Sequence, residues 1–299
     1  MHLEKATRKQ SKIKMSLAGS SGSGKTYSSL LLAYGLCKDF SKICVLDTEN
    51  KSSSLYSHLG SFNVINLTAP FHPDKYVEAI KLAEDAAMEV IIIDNATHAW
   101  SGKGGCLELH EKETAKMRIP NSFTAWAQIT PLYQKYVDAI VNSSCHIICN
   151  LRSKTEYVLA ERNGKQVPQK IGMAPMMRDN FDFEMTVSFD LDQYHKAFCT
   201  KDRTCLFSKQ EPFVISTETG KKILEWCEHD EQSSMIEDVC RRIDSCKSVK
   251  ELIELYHQFP AVQKTLKPEF EQQKRRLLIN QNVQQQLTTQ NLNSNGTEH

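Results

Sequence analysis

The sequence predicts an α/β fold: a mainly parallel sheet flanked by helices, followed by a small helical C-terminal segment. Three observations predict it. Short apolar runs of strand length alternate with amphipathic helical stretches from Ile13 to Cys149. The octet Gly19-Ser20-Ser21-Gly22-Ser23-Gly24-Lys25-Thr26 matches the phosphate-binding loop pattern G-x-x-x-x-G-K-[ST] at every fixed position. Apolar runs also end in acids, at Asp47 and Asp94, where open α/β sheets collect their ligands.

Taken in order, Ile13 to Ala18 reads as a buried strand entering the loop, and Tyr27 to Cys37 as an apolar helix leaving it. Lys42 to Asp47 is a second strand and Val64 to Leu67 a short third. Asp74 to Met88 has helical spacing at Tyr76, Ile80, Leu82 and Ala83. Val90 to Asp94 is a β-branched strand ended by a carboxylate. Phe123 to Val141 is helical through Trp126, Ile129, Leu132, Tyr133, Val137 and Ile140, and Cys145 to Cys149 is another buried strand. From Asp182 the strands crowd together, at Phe183 to Leu191, Ala197 to Thr200 and Pro212 to Ser216, which suggests antiparallel extensions of the sheet.

Beyond Gly220 the pattern turns helical. Met235, Ile236, Val239 and Ile243 share a face, and Ser248-Val249-Lys250-Glu251 is a capping box. A last helix is expected from about Pro268 to Ile279. The expected divisions are a basic arm (1–12), the core (13–219), a helical C-terminal domain (220–280) and a disordered tail (281–299) rich in Gln, Asn and Thr.

Composition narrows the function classes. Hydrophobic content of 40% and charged content of 24% are ordinary for a globular chain. No apolar run has the length of a membrane span and the N-terminus lacks a signal-peptide core, so a cytoplasmic protein with no membrane partner is expected. None of the ten cysteines forms a C-x-x-C pair, which fits small buried hydrophobes in a reducing compartment and no structural metal. A net charge of +1 means that any nucleic-acid surface is a local patch. Lys5, Arg8, Lys9, Lys12 and Lys14 stand against Glu4 alone, either as a nucleic-acid-binding arm or as a solvated lead-in to the first strand.

The acids and the loop point to nucleoside triphosphate chemistry with ATP and Mg²⁺. Backbone N–H groups of the loop cradle phosphate, Lys25 reaches the outer phosphates and the Thr26 hydroxyl joins a Mg²⁺ shell. Asp94 is the expected carboxylate for Mg²⁺. Asn95 stands where many such ATPases carry their catalytic acid, which leaves Glu49, in Asp47-Thr48-Glu49, as the candidate base. A solvated turn acid is the alternative. His98 either senses the nucleotide or is a packed or turn histidine, and Trp100 belongs to the core or an interface.

In these residues the chain resembles the RecA-type recombinase core. Shared features are the Asp47-Thr48-Glu49 run on the strand after the loop helix, the small polar Asn95 after Asp94, and Asn150 near the end of the next core strand. Lys201-Asp202-Arg203 is similar to the paired cations that RecA-like filaments extend into a neighbouring ATP site. Short phage RecA-like ATPases, single-strand annealing proteins among them, share the basic lead-in, the Asp94, His98, Trp100 run and the stretch Leu151 to Tyr157. Leu151 stands where RecA places a switch glutamine.

The resemblance implies a RecA-like P-loop NTPase core that acts on single-stranded DNA in homologous recombination, annealing or strand pairing, in the bacterial host cytoplasm if phage-encoded. It also implies a homo-oligomer, ring or filament, with Lys201 and Arg203 completing the next protomer's site and Asn150 at the nucleotide. Two stretches are expected as loops on the DNA path or as solvated surface. Ser101 to Ser122 carries Lys103, Lys112, Lys116 and Arg118; Glu156 to Asn180 carries Arg162, Lys165, Lys170 and Arg178 beside Met173, Met176 and Met177. The C-terminal segment, with Lys274-Arg275-Arg276, is a helical cap, a dock for a single-strand DNA-binding protein or an added DNA contact. A DNA motor and a small-molecule kinase are the competing classes. A GTPase is disfavoured because no N-K-x-D motif occurs.

Overall fold

In a computed structural model, β1 (Lys14–Gly19) runs through the phosphate-binding loop into α1 (Lys25–Cys37). The structure describes residues 11–162, 165–208, 210–228 and 231–279, without the side chains of 155–173, 231–234, 236 and 237. Most of the expected basic arm and the whole expected tail therefore lie outside the described residues. Lys14, counted with that arm, is buried: its Nζ donates to the carbonyls of Ser143 (2.7 Å) and Cys145 (2.6 Å).

The chain continues through β2 (Ile43–Asp47), a 3-10 turn (Ser52–Leu59), β3 (Asn63–Asn66), α2 (Pro73–Asp85) and β4 (Val90–Asp94). Then come α3 (His98–Ser101), α4 (Cys106–Lys116), α5 (Ser122–Val141), β5 (His146–Arg162) and β6 (Lys165–Pro175). The first unit closes with β7 (Val187–Leu191), β8 (Lys196–Asp202), β9 (Phe213–Val214) and α6 (Thr217–Glu228).

Among the described residues nine strands form one sheet in the order β3-β2-β4-β5-β1-β7-β8-β9, with β6 paired to β5 alone. The first six in that order are parallel; β8 is antiparallel to β7, and β9 is antiparallel to β8 and so runs with the first six. This is the mixed, mostly parallel architecture expected from sequence. Burial on both faces explains why the strands read as continuous apolar runs. Within β4, Ile91 and Ile93 face a core shared with Tyr76 of α2 and Ile129 and Tyr136 of α5. Val90 and Ile92 face the opposite core with Leu30 and Leu32 of α1 and Ile223 of α6. Parallel pairing sets the carboxyl ends of β1, β5, β4 and β2 side by side, which creates the edge where the site lies.

Both expected DNA-path loops contain regular structure. Beyond Cys149, β5 continues to Arg162, and β6 returns antiparallel with Arg162 opposite Lys165, so residues 153–162 and 165–175 form a two-stranded ribbon. Its strand-forming Tyr157, Val158 and Leu159 favour this, and Asn163-Gly164 in the sequence is a strong two-residue hairpin signal. Within Ser101 to Ser122, α4 is supported by Glu108–Lys112 (2.5 Å) and Glu113–Lys116 (2.5 Å) pairs at helical spacing. Cys106 and Leu109 of α4 join the core on which α5 packs. Phe181–Glu184 is a 3-10 turn rather than the start of a strand.

The first compact unit ends at Cys227, later than the boundary expected at 219/220. The cause is a glycine contact between α1 and α6. A Cβ on Gly35 would meet the Thr217 carbonyl at 2.1 Å, and one on Gly220 would meet the Leu32 carbonyl at 2.1 Å. These helices touch backbone to backbone, so α6 belongs to the core.

The second unit is described from Glu228 onward by itself. It contains α7 (Glu231–Ser245), α8 (Val249–Gln258), capped by the Ser248 hydroxyl as expected, and a helix over 267–279. Val239, Ile243, Leu252, Leu255, Leu266, Phe270 and Leu277 form its core. Among the described residues no helix is long and apolar enough to cross a membrane.

Gly220→Ala should destabilise the first unit by about 3 kcal/mol, because the new methyl strikes backbone rather than a side chain that can swing aside. Urea denaturation checks this; unchanged stability would mean that α6 is not locked on α1. A second expectation concerns His146, buried at the start of β5, whose Nδ1 accepts from the Ile13 N–H (3.1 Å). Burial lowers its pKa from 6.5 to about 3. Between those values the unfolded chain binds a proton that the folded chain refuses, so this contribution is complete above pH 6.5 and is lost as pH falls toward 3. Denaturation series at pH 8, 6 and about 4.5 should show a shallower loss in His146→Gln than in the parent; parallel curves would contradict this.

Candidate functional site

The loop is built to face an anion. Gly22 (φ 80°) and Gly24 (φ 85°) take left-handed conformations that L side chains rarely adopt. A Cβ on Gly24 would also meet the His195 imidazole at 2.9 Å. Gly24 caps α1 without a side-chain hydrogen bond, leaving first-turn N–H groups open to a ligand. Lys25 Nζ donates to the carbonyls of Gly19 (3.0 Å) and Ser20 (2.8 Å). Burial lowers its pKa, against the opposing pull of Asp94 and Glu49. The Ser23 hydroxyl beneath the loop is buried without a hydrogen-bond partner.

Beside the loop, Thr26 Oγ1 donates to Asp94 Oδ2 (2.7 Å), and Asn150 Nδ2 donates to Asp94 Oδ1 (3.1 Å). Asp94 is only 3% exposed, and burial raises its pKa even though both donors favour the anion. Nearby Glu49 and Asp47 add to the rise.

Asp47 opposes Asp94 in the β2–β4 register, and its carboxylate shapes the turn that follows. Its Oδ1 accepts from Glu49 N (2.8 Å), and its Oδ2 from Ser53 N (2.8 Å) and Ser53 Oγ (2.5 Å). Thr48 is held by N–H to the Asp94 carbonyl (2.7 Å) and accepts from Asn95 N at Oγ1 (2.8 Å). These ties deliver Glu49 into the cleft that Lys25 and Thr26 line. There its Oε1 accepts from Arg152 NH2 (2.5 Å) and Asn95 Nδ2 (3.3 Å). Burial raises the Glu49 pKa, but the Arg152 hydrogen bond and charge, with Asn95, bring it below the usual value. Glu49 therefore faces the loop and is no solvated turn acid.

The cleft has a volume of about 730 Å³, and beyond the loop its wall is apolar, through Tyr27, Leu31, Leu55, Tyr56 and Ile215. An anion cradle, a hydroxyl–carboxylate pair, a second carboxylate and an apolar wall accommodate a nucleotide. A family model described as an AAA domain matches residues 11–214, more than half of the chain. This chain belongs to the AAA domain family. Comparison with curated proteins returns no match.

The AAA domain assigns the chain to the P-loop ATPases and supports nucleotide binding and hydrolysis, typically with Mg²⁺. The residues present fit the ion: Thr26 and Asp94 offer adjacent oxygens, with the Glu49 and Asp47 carboxylates nearby. The remaining expected residues are placed differently. Asn150 is fully buried, with its Oδ1 accepting from Ser29 Oγ (2.6 Å), so it supports Asp94 from behind and does not line the cleft. Lys201 Nζ donates to the carbonyls of Asp182 (2.6 Å) and Phe183 (2.7 Å), and Arg203 NH2 to Phe183 (3.3 Å), away from this AAA domain's own cleft.

Among the expected DNA contacts, Lys103 is exposed between α3 and α4. The Arg178 guanidinium lies over the rings of Tyr133 (5.3 Å) and Trp126 (5.7 Å), so aromatic packing already engages it. Arg162, Lys165 and Lys170 sit on the β5–β6 ribbon, and their side chains are outside the described residues. Trp100 stacks on Trp126 at the edge of the core. His98 is a packed histidine, stacked on Phe71 with its Nδ1 2.8 Å from Thr48 Oγ1.

Sequence reasoning missed Arg152 as a site residue. The signal available was a cation two residues past Asn150, where β5 leaves its pairing with β1.

Proposed function

We propose that this AAA domain hydrolyses ATP with Glu49 as general base and acts on single-stranded DNA, as a RecA-like protein of the phage recombination type, in annealing or strand pairing. The observation that carries the hydrolytic part is the convergence of Lys25 and Thr26 from the start of α1, Asp94 from the end of β4 and Glu49 from the turn after β2 on one cleft. Lys25 exchanges the Gly19 and Ser20 carbonyls for phosphate oxygens. Thr26 and Asp94 would hold Mg²⁺, which supplies neutralisation of phosphate charge when bound. Glu49, pinned at Oε1 by Arg152 and Asn95, orients water and accepts its proton. Lys201 and Arg203 serve the site of a neighbouring protomer in a homo-oligomer. Such a protein works in the cytoplasm, where a single-strand DNA-binding protein is a suitable partner.

The DNA part rests on the ribbon. It continues the strand that carries Asn150 and Arg152, and its sequence bears Lys154, Arg162, Lys165 and Lys170. A cationic ribbon rooted at an ATP site suits a phosphate backbone.

ATP turnover with and without single-stranded DNA tests this, with oligomer size followed in parallel. The expected outcome is a rate at least about tenfold higher with DNA, falling steeply with salt. Turnover indifferent to DNA but dependent on a small acceptor would replace the proposal with a kinase. Directional unwinding would replace it with a motor.

A further inference from the structure

We propose that Arg152 is a positioning residue that links occupancy of the β5–β6 ribbon to the Glu49 carboxylate. The inference rests on the function proposed above and adds its regulation.

Arg152 has three ties, each to a different part of the molecule. Its NH2 group holds Glu49 Oε1 at 2.5 Å. Its backbone N–H donates to Thr97 Oγ1 (3.0 Å), in the turn that follows Asp94. Its carbonyl accepts from Met176 N (2.7 Å), the residue directly after β6. The next residue, Ser153, opposite Pro175, begins the ribbon pairing. In the core, Arg152 is in register with Gly19, the first residue of the phosphate loop. A change in the twist or tilt of the ribbon at its root therefore moves the Arg152 backbone. That motion reaches Glu49 through one side chain.

The strength of the contact suits a relay. Arg152 and Glu49 are 45% and 32% exposed, and half-exposed ion pairs are worth little net, so a small displacement can break or remake this one. Both donors to Glu49 fall on Oε1, and among the described residues none reaches Oε2. Losing Arg152 leaves Asn95 as a single long contact and frees the carboxylate to rotate. The other expected DNA stretch reaches Glu49 less directly: the carbonyl of Lys103 accepts from Phe71 N (2.7 Å), and Phe71 stacks on His98, which meets Thr48 rather than the Glu49 carboxylate.

The test measures the affinity of the full chain for a fluorescent oligo(dT) in the presence of ADP or of a non-hydrolysable ATP analogue. It reads the ratio of the two dissociation constants and needs no turnover. The parent is expected to show a ratio of at least about fivefold, within the usual range of site-to-site coupling. Arg152→Ala should bind both nucleotides and DNA yet show a ratio within about twofold of one, and Arg152→Lys, which keeps the charge without the fork, an intermediate ratio. Should Arg152→Ala fail to fold by thermal melting, the reduced ratio in Arg152→Lys carries the test. A parental ratio in the variants would overturn the inference and leave the DNA reading standing. Loss of DNA binding with both nucleotides would make Arg152 a DNA contact and also overturn it. A parent that binds no DNA, or binds it equally with both nucleotides, would sink the DNA reading and this inference with it.

Discussion

The Asp94 carboxylate is the point on which the site depends. One of its oxygens takes the Thr26 hydroxyl and the other the Asn150 amide, so the first turn of α1, the end of β4 and the core part of β5 meet at one side chain. A carboxylate this buried is costly unless its lone pairs are used. Asn150 can serve because Ser29, one turn further along α1, occupies its other end. The same helix thus grips the acid twice, directly and through the asparagine. Lys25 and Arg152 line the same cleft as Asp94 and Glu49, and the Arg152 guanidinium is bonded to Glu49 rather than to Asp94.

Around this anchor the acids divide their tasks by environment. Asp47 gives both oxygens to backbone and hydroxyl donors of the turn and so acts as a fulcrum. Glu49, two residues on, is thereby carried out of the strand and over the loop. Its partners Arg152 and Asn95 lower its basicity while fixing its direction. For the water-orienting role proposed for Glu49, geometry of this kind outweighs base strength.

Much of this was legible in the sequence, for reasons that can be named. The phosphate loop is a local motif, and Asp94 and Glu49 sit at strand ends where parallel pairing must bring them together. The double-faced burial of β4 was written in its unbroken β-branched run. Long-range pairings were less visible. Nothing local in Asn150 tells whether it faces a nucleotide or stands behind Asp94, because that depends on Ser29, over a hundred residues earlier. Nothing local marks Arg152 as a site residue either, since its partner Glu49 lies in a distant segment. The ribbon and α4 were readable: Asn163-Gly164 announces the hairpin, and Glu108 with Lys112 the helix. The placement of α6 hinged on Gly35 and Gly220, whose meaning appears only when the helices cross.

The account stands most directly on the role of Glu49. Single-turnover hydrolysis by Glu49→Gln, with nucleotide affinity measured alongside, separates binding from chemistry. The expected result is ATP affinity within about threefold of the parent and a hydrolytic rate lower by at least about a hundredfold, the usual worth of a general base. Hydrolysis within about threefold of the parent, at unchanged affinity, would contradict the account and place the base elsewhere.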